Sequence, residues 1–276
     1  MARNIVILLL AVALVVGVSL WLLPKEQKVS FPSGSLTLHG VLYKPHGAGP
    51  FPALLYNHGS APGLQSNEAF EAIGPLFANR GWVFFAPYRR GQGLSADAGP
   101  YIRDQVVAAA KAGGIHAGSV TMVRLLETDH LHDQLAALAW LRQQSFVQPR
   151  RIAVAGNSFG GVEAVLGAEN GSYCAAIDAS GGSESWRESP ELQQRMLQAV
   201  RNSTVAIFFF QAQNDEDLSP TMTLSAAMKE ANKEFESKIY PPFGKTPQEG
   251  HSFAYKGSST WADDVFQFLD KYCANR

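Results

Sequence analysis

One pentapeptide carries the residue types and the spacing of a serine nucleophile. Residues 156–160 read Gly-Asn-Ser-Phe-Gly, between the apolar run 151–155 and a helix-like run that begins at Val162. The pattern G-x-S-x-G between a strand and a helix is the nucleophile elbow, a sharp turn that exposes the serine hydroxyl. Glycines two residues on either side remove the Cβ atoms that would collide there. We therefore predict that Ser158 is a catalytic nucleophile.

A serine hydroxyl needs a general base and an acid that orients the base. In this strand–turn–helix setting the chain order is Ser, then Asp or Glu, then His. His251 is the only histidine after the serine, so it is predicted to be the base. The acid should follow the apolar run 205–210, and residues 215–217 read Asp-Glu-Asp. We favour Asp215 over Asp217, because Asp217 stands close to a helix start, where a carboxylate favours the helix dipole.

Two backbone N–H groups must converge on the oxyanion that forms during acyl transfer. One comes from the residue after the nucleophile, which is Phe159. The second should come from the loop after the apolar run 51–56, and we predict the N–H of Ser60, with Ala61 as the next candidate. His58 precedes the nucleophile in the chain, so the expected order gives it a structural role.

The elements that must position these residues alternate between strands and helices. A strand hairpin over 29–43 comes first, and the later strand-like runs are continuous apolar stretches, so both faces of the sheet should be covered. The predicted strands are 51–56, 82–86, 151–155, 175–179, 205–210 and 235–240, and the predicted helices are 68–80, 122–144, one from 162, 189–201, one from 219 and 261–273. A polar, small-residue stretch over 94–121 carries no predicted helix and is placed to fold over the site. The pattern predicts a mostly parallel α/β sheet.

Several segments together resemble the α/β-hydrolase superfamily and, within it, the dienelactone hydrolase family. They are Asn57-His-Gly-Ser60, Arg90-Gly-Gln-Gly-Leu-Ser95, Gly156-Asn-Ser-Phe-Gly160, Asn214-Asp215 and Glu249-Gly-His251, and the resemblance runs from about residue 28 to the end. It implies an eight-stranded, mostly parallel sheet with helices on both faces, and hydrolysis of carboxylic esters or related acyl bonds. The namesakes of the family use a cysteine nucleophile, whereas this chain has Ser158. That departure favours the serine-esterase-like relatives over the lactone substrate.

The first 27 residues differ in composition from the rest. Ile5–Leu23 is uncharged and apolar, and its nineteen residues would span about 29 Å as a helix, close to the hydrocarbon thickness of a bilayer. We predict a transmembrane helix that makes residues 1–27 a membrane anchor, with a cleaved signal peptide as the alternative. Residues 28–276 are predicted to form the hydrolase domain, exported to the periplasm or the extracellular side, or secreted if the signal is cleaved.

Composition excludes several classes of protein. The 276 residues carry a formal net charge of −1, which argues against nucleic acid as the main partner. Two cysteines are too few for a disulfide scaffold, and Cys174 and Cys273 are interpreted as buried small hydrophobes, although they would pair in an oxidising compartment. Glu127 and His130 have the spacing of a di-iron motif, but the motif has no second copy. We expect neither a metal nor an organic cofactor.

Together these observations predict a serine hydrolase that cleaves carboxylic ester or related acyl bonds of a small molecule through Ser158, His251 and Asp215, with an acyl-enzyme intermediate. A peptidase or a thioesterase would use the same residues and stays an alternative. A catalytically silent binding protein of the cell envelope is a further alternative, because fold alone does not fix function. It is disfavoured because every position of the catalytic apparatus is filled.

Overall fold

A single sheet of eight strands organises the part of the chain that the computed structural model describes, residues 24–60 and 68–274. The strands are β1 (Glu26–Ser33), β2 (Leu36–Tyr43), β3 (Phe51–Asn57), β4 (Val83–Pro87), β5 (Val147–Asn157), β6 (Ala176–Ala179), β7 (Ile207–Ala212) and β8 (Phe235–Tyr240). Their order in the sheet is β1-β2-β4-β3-β5-β6-β7-β8. The pairs β1–β2 and β2–β4 are antiparallel, and the other five are parallel. The predicted sheet is confirmed, whereas the predicted N-terminal transmembrane helix lies outside the described residues.

Helices connect the parallel strands and cover both faces of the sheet. They are α1 (Glu68–Asn79), α2 (Ile102–Leu125), α3 (Leu131–Arg142), α4 (Phe159–Asn170), α5 (Pro190–Asn202), α6 (Ser219–Glu230), α7 (Pro247–His251), α8 (Phe253–Lys256) and α9 (Ser258–Cys273). A 3₁₀ turn over Gly93–Ser95 follows β4, and a π-helical turn over Leu126–His130 joins α2 to α3.

The continuous apolar runs in the strands are explained by two hydrophobic layers, one on each face. In β7, Phe209 packs into the layer that contains residues of α3, α4, α5 and α6. Its neighbours Phe208 and Phe210 point the opposite way, into the layer that contains residues of α1, α8 and α9. Successive side chains of a strand alternate between faces, so a strand covered on both sides must be apolar at every position. Each fully buried aromatic ring of this kind stabilises the fold by about 1.5–3 kcal/mol.

The segment 94–121 differs from its prediction, because α2 begins at Ile102. Gly114 has φ 83° and ψ 176°, so the helix reverses there into a hairpin of two arms. In a straight helix, residues eight positions apart are separated by about 12 Å along the axis. A Cβ on Gly118 would lie only 2.9 Å from the Cβ of Ala110, so the two arms pack side by side. The first arm is rich in alanine and glycine and has little apolar periodicity, which hides it from pattern reasoning. The predicted helix 122–144 is instead the end of α2, the π-helical turn and α3.

Helix length and composition mark one membrane-span candidate within the described ranges. The run Ile102–Arg142 has 41 residues and is long and apolar enough to cross a membrane, but length and composition alone are weak evidence of a span. Its backbone turns back at Gly114, so it is not one straight helix. Residues of this run, such as Leu126 and Leu138, pack into a hydrophobic layer on the sheet.

A disulfide corrects the interpretation of the two cysteines. Cys174 and Cys273 are bonded, with their Cα atoms 5.1 Å apart and a sequence separation of 99. Both side chains are fully buried, as expected, but they are not unpaired hydrophobes. Helix α9 packs across the sheet and brings its last turn to the residues just before β6. The bond therefore links the end of the domain to its centre.

Candidate active site

Ser158 occupies a strained turn between β5 and α4. Its backbone has φ 54° and ψ −120°, a positive φ that is unfavourable for a residue other than glycine. A Cβ on Gly156 would lie 2.0 Å from the carbonyl oxygen of Gly160, and one on Gly160 would lie 2.0 Å from that of Asn57. Both positions therefore require glycine, as the motif predicts. The turn places Ser158 at the carboxyl edge of the sheet, beside β6, whose last residue Ala179 accepts its N–H at 2.9 Å.

The structure brings His251 and Asp215 together from two separate segments. His251 Nδ1 lies 2.7 Å from Asp215 Oδ1, where the ring N–H donates to the carboxylate. The Asn214 amide group joins the two segments, because it accepts from the N–H of Phe243 at 2.8 Å and donates to the carbonyl of Phe243 at 3.0 Å. Gly250 permits the close approach, since a Cβ there would lie 2.6 Å from the carbonyl oxygen of Asn214.

The setting of His251 differs in one respect from its prediction. The sequence favours a glycine-flanked loop, but the residue ends the short helix α7. A capping box fixes this helix, because the hydroxyl of Thr246 accepts the N–H of Glu249 while the Glu249 side chain accepts the N–H of Thr246. The imidazole is thus held by a capped turn of helix and not by a free loop.

Asp215 is fully enclosed and fully hydrogen-bonded. Its Oδ1 also accepts the Ser183 hydroxyl at 2.9 Å, and its Oδ2 accepts the Gln211 amide at 2.8 Å. Burial alone would raise the pKa of this carboxyl, but the hydrogen bond and the charge of His251 outweigh burial and hold the pKa below its ordinary value. The side chain therefore stays ionised, which suits it to orient an imidazole.

Asp217, the other candidate acid, has different partners. It accepts the N–H of Ser219 at 2.9 Å, at the start of α6, and pairs with Arg187 at 3.0 Å. This is the helix-start role that the sequence indicates for it. The structure places Asp215, and not Asp217, against His251.

An acidic side chain that the sequence analysis did not single out lies between the serine and the histidine. Glu184 Oε2 accepts the Ser158 hydroxyl at 3.4 Å and lies 3.7 Å from His251 Nε2. Among the described residues, His251 Nε2 has no hydrogen-bond partner. Burial alone would lower the pKa of His251, but the hydrogen bond and charge of Asp215, with the charges of Glu184 and Glu216, raise it above its ordinary value.

The two predicted oxyanion donors flank the nucleophile. Phe159 is the first residue of α4, and the first N–H groups of a helix have no partner within it. Ser60 ends the described part of the loop after β3, where its hydroxyl hydrogen-bonds the hydroxyl of Tyr101 at 2.8 Å. The preceding N–H, of Gly59, donates to the side chain of Asn157 at 3.0 Å. The alternative donor Ala61 lies outside the described residues.

Arg89 contacts the segments that carry both predicted oxyanion donors. Its guanidinium donates to the carbonyl oxygens of His58 at 2.8 Å and Gly59 at 3.0 Å, next to Ser60. The same group lies 4.8 Å from the ring centroid of Phe159. It also forms an ion pair with Glu163 of α4, and both side chains are buried.

The groups around Arg89 are buried in forms that suit a structural role. Burial and the neighbouring Arg89 charge lower the pKa of His58 well below its ordinary value, so this histidine is neutral. It accepts the backbone N–H of Arg89 at Nε2 and donates from Nδ1 to the carbonyl oxygen of Gly59 at 2.7 Å. Burial raises the pKa of Glu163, and Arg89 opposes this shift. His58 is thus part of the support of the loop, as its chain order predicts.

A cavity of about 340 Å³ opens at Ser158 beneath the α2 hairpin. Most of its lining is apolar, and both arms of the hairpin contribute. The lining residues are Ser60, Ile102, Arg103, Val106, Val107, Met122, Leu126, Ser158, Phe159, Val162, Gly182, Glu184, Ser185 and Leu192. The segment 94–121 thus does fold over the site, although as a helix. The cavity has room for a small acyl group next to the serine hydroxyl.

The acidic residues of the π-helical turn and of the first turn of α3 pair with arginines, and the histidine of the π-helical turn is buried. Arg90 donates to both carboxylate oxygens of Asp133 at 2.7 Å, and Glu127 pairs with Arg195. His130 is buried, and burial with the charge of Arg89 lowers its pKa well below the ordinary value. Over residues 24–60 and 68–274, no three His, Cys, Asp or Glu side chains are grouped to hold a metal ion.

The fold and this edge of the sheet define an α/β hydrolase. The sequence profile of the dienelactone hydrolase family matches residues 38–272, and the chain belongs to that family. No curated protein sequence is significantly similar to the chain.

Solved structures share the fold at low sequence identity. An acylaminoacyl peptidase from Pyrococcus horikoshii is 17% identical over 92% of this chain and 42% of its own, with a TM-score of 0.64. A dienelactone hydrolase candidate from Klebsiella pneumoniae is 16% identical over 91% of this chain and 99% of its own, with a TM-score of 0.64. A Pyrococcus furiosus esterase is 15% identical over 91% of this chain and 92% of its own, with a TM-score of 0.64. The chain therefore spans less than half of the peptidase but nearly all of the other two.

Proposed function

We propose that the protein is a serine hydrolase that cleaves carboxylic ester bonds through Ser158, His251 and Asp215. The observation that supports this most directly is the 2.7 Å contact of His251 with the enclosed carboxylate of Asp215, beside a serine in a strained turn. Ser158 Oγ lies 3.4 Å and His251 Nε2 lies 3.7 Å from the same Glu184 oxygen, so the hydroxyl and the base lie on two sides of one carboxylate, and the proposal requires the hydroxyl to turn from Glu184 to the ring. Family membership adds independent support for hydrolysis.

The proposed mechanism is acyl transfer by way of a covalent intermediate. His251 Nε2 takes the proton of Ser158 as Oγ attacks the ester carbonyl, and Asp215 keeps the other ring nitrogen protonated. The N–H groups of Phe159 and Ser60 stabilise the oxyanion. The imidazolium then protonates the leaving alcohol, and water, deprotonated by the same ring, hydrolyses the acyl-enzyme.

Covalent labelling with a fluorophosphonate tests this proposal. Such a probe reacts with an activated serine, so the wild-type protein should be labelled and Ser158→Ala should not. Ser185→Ala is the matched control, because Ser185 lines the same cavity but has no proposed role in acyl transfer, and it should be labelled like the wild type. Wild-type protein that resists labelling while it hydrolyses no aryl ester would support the catalytically silent envelope protein instead.

A peptidase is the second candidate. It is favoured by the likeness to an acylaminoacyl peptidase, although the chain spans only 42% of that protein. A panel of p-nitrophenyl esters, thioesters and p-nitroanilides of one acyl group separates the three reactions by kcat/KM. Faster cleavage of the anilide than of the ester would assign a peptidase, and fastest cleavage of the thioester a thioesterase.

We also propose that residues 1–27 anchor an exported hydrolase domain to a membrane, with secretion after cleavage as the alternative. The apolar run Ile5–Leu23 supports the anchor. The Cys174–Cys273 bond supports export, because disulfides persist in oxidising compartments. Cell fractionation with protease protection tests both, and a domain that faces the cytoplasm would overturn the export.

A further inference from the structure

Glu184 is an acidic side chain at the reacting atoms that the proposed mechanism does not use. We infer that it selects substrates carrying a positive charge next to the scissile acyl bond, such as β-aminoacyl esters or esters of amino alcohols. This inference rests on the proposed function of Ser158 and His251. Glu184 Oε2 lies 3.4 Å from Ser158 Oγ and 3.7 Å from His251 Nε2, so a cation that contacts it lies within a few atoms of the attacked carbonyl.

The loop that carries Glu184 is fixed at the site. The preceding residue, Ser183, donates to Asp215 at 2.9 Å and accepts the N–H of Asp217 at 3.0 Å. On the other side, Trp186 is buried in the core and its N–H donates to the carbonyl oxygen of Gly182 at 2.9 Å. The backbone at 184 is therefore tied to the triad acid and to the core, which holds the carboxylate near the serine.

Within residues 24–60 and 68–274, no lysine or arginine balances the charge of Glu184. Its ion-pair partner within the described residues is His251, and no lysine or arginine pairs with it there. Residues 61–67, which follow Ser60 in the chain, include no lysine or arginine. Asp217, whose N–H donates to the neighbouring Ser183 at 3.0 Å, is by contrast paired with Arg187. Because 59% of the Glu184 side chain is exposed, the carboxylate is open to a ligand that enters the cavity.

Without a bound cation, the carboxylate of Glu184 disfavours the form of His251 that is needed to react with neutral substrates. Its charge stabilises the protonated form of His251, which cannot act as a base. A bound cation would neutralise that charge and favour the unprotonated ring. The other charged residue that the structure places in the lining is Arg103, on the hairpin, and it is not paired with Glu184. The rest of the lining is largely apolar, so a ligand that fills the cavity would displace water from around Glu184 and strengthen its attraction to a cation.

Isosteric substrate pairs test the inference. For a charge in the acyl group, p-nitrophenyl 3-aminopropanoate is compared with p-nitrophenyl butanoate, which has a methyl group in place of the ammonium. For a charge in the alcohol, butyrylcholine is compared with 3,3-dimethylbutyl butanoate. In each pair the ratio of kcat/KM values, charged over neutral, is measured in the wild type and in Glu184→Gln, so that intrinsic reactivity cancels.

Glu184→Gln should lower that ratio about five- to tenfold in at least one pair, as expected for the loss of one partly exposed ion pair. The pair that responds identifies whether the charge belongs to the acyl group or to the alcohol. Glu188→Gln is the matched control, because this exposed glutamate is in the same loop but does not line the cavity, and it should leave both ratios unchanged. Ratios that are equal in the wild type and in Glu184→Gln for both pairs would overturn the inference.

Failure of the proposed function has a different signature. If neither the wild type nor any variant cleaves an ester, the hydrolase proposal fails, and the inference is tested by binding alone. Butylammonium, with 1-pentanol as the uncharged comparison, is then titrated by saturation-transfer NMR into Ser158→Ala and into Ser158→Ala/Glu184→Gln. Binding of butylammonium that weakens about fivefold in the double variant supports the inference, and equal binding overturns it.

Discussion

His251 is the residue whose protonation state controls the proposed reaction. Only the neutral ring accepts the serine proton, and the carboxylates around the ring raise its pKa above the ordinary value of 6.5. We therefore expect kcat/KM for a neutral aryl ester to rise with pH along a limb centred above pH 6.5. Initial rates from pH 5 to 9 would measure it, and a flat profile would contradict the role of His251.

The same measurement has an internal comparison. Glu184→Gln removes one of the charges that raise the His251 pKa, so the limb should move to lower pH in this variant. Glu188→Gln should leave the limb where it is in the wild type. An unmoved limb in Glu184→Gln would mean that the charge of Glu184 does not reach the imidazole.

Asp215 and Asp217 are two residues apart, but their variants should behave differently. Asp215→Asn keeps the shape of the side chain but disfavours the tautomer that leaves His251 Nε2 free, which costs up to about 10⁴-fold in kcat in comparable triads. Asp217→Asn weakens the pairing with Arg187 and the bond to Ser219, so kcat should change less than about threefold while stability falls by about 0.5–1 kcal/mol. Steady-state rates on one ester decide this. Loss of activity in Asp217→Asn alone would reverse the assignment.

The sequence identifies residues whose places are tied to strand ends. Ser158 follows β5 and His251 is the single histidine in the remaining chain, so order and spacing select both, whereas Asp215 after β7 was favoured over Asp217 only by the helix start beside Asp217. Glu184 has no such signal. It lies in a loop after β6 with no motif around it, and its place depends on how the loop packs on Asp215 and Trp186.

At the scale of elements, Arg89 couples the end of β4 to the oxyanion loop and to α4. Arg89→Met removes the donors to the carbonyls of His58 and Gly59 and leaves Glu163 as a buried, unpaired carboxylate. We expect the free energy of unfolding to fall by about 3–5 kcal/mol. In Arg89→Met/Glu163→Gln the buried charge is gone, so most of that loss should be recovered.

The catalytic effect should not recover with stability. The double variant still lacks the group that holds the loop before Ser60, so its kcat should stay at least about tenfold below the wild type, less than the loss of a whole oxyanion donor. Urea denaturation and the rate of fluorophosphonate labelling measure the two effects separately. A double variant with full activity would make Arg89 a purely stabilising residue.

The predictability of elements follows from their chemistry. Strands such as β4 and β7 were found because five or six apolar residues stand together, at 82–86 and at 205–210. The first arm of α2 was missed because alanine and glycine carry no amphipathic pattern. The contact of Arg89 with Glu163 joins residues 74 apart in sequence, and no local pattern specifies such a pair.

At the scale of the molecule, the Cys174–Cys273 bond joins positions with a sequence separation of 99 and closes a loop that contains β6, β7, β8 and α9. A cross-link of that length restricts the unfolded chain, and its removal typically costs about 2–4 kcal/mol. Cys174→Ala/Cys273→Ala should lose this amount in urea denaturation and should not respond to dithiothreitol. The wild type should fall to a similar stability in dithiothreitol.

Thiol titration is the control for this experiment. The unfolded wild type should show free thiols only after reduction, because both cysteines are bonded. Equal stability with and without dithiothreitol, once reduction is complete, would contradict the prediction. The sequence alone left this pairing open, because spacing along the chain does not reveal whether two cysteines lie within bonding distance.

The α2 hairpin lines one side of the cavity at Ser158 and is a single stretch of chain between β4 and α3. The residues of the proposed triad come from other segments. Replacing α2 with the corresponding segment of a relative would change which molecules fit the cavity but would leave Ser158, His251 and Asp215 in place. One contiguous segment can therefore set the shape of the cavity independently of the residues proposed for catalysis.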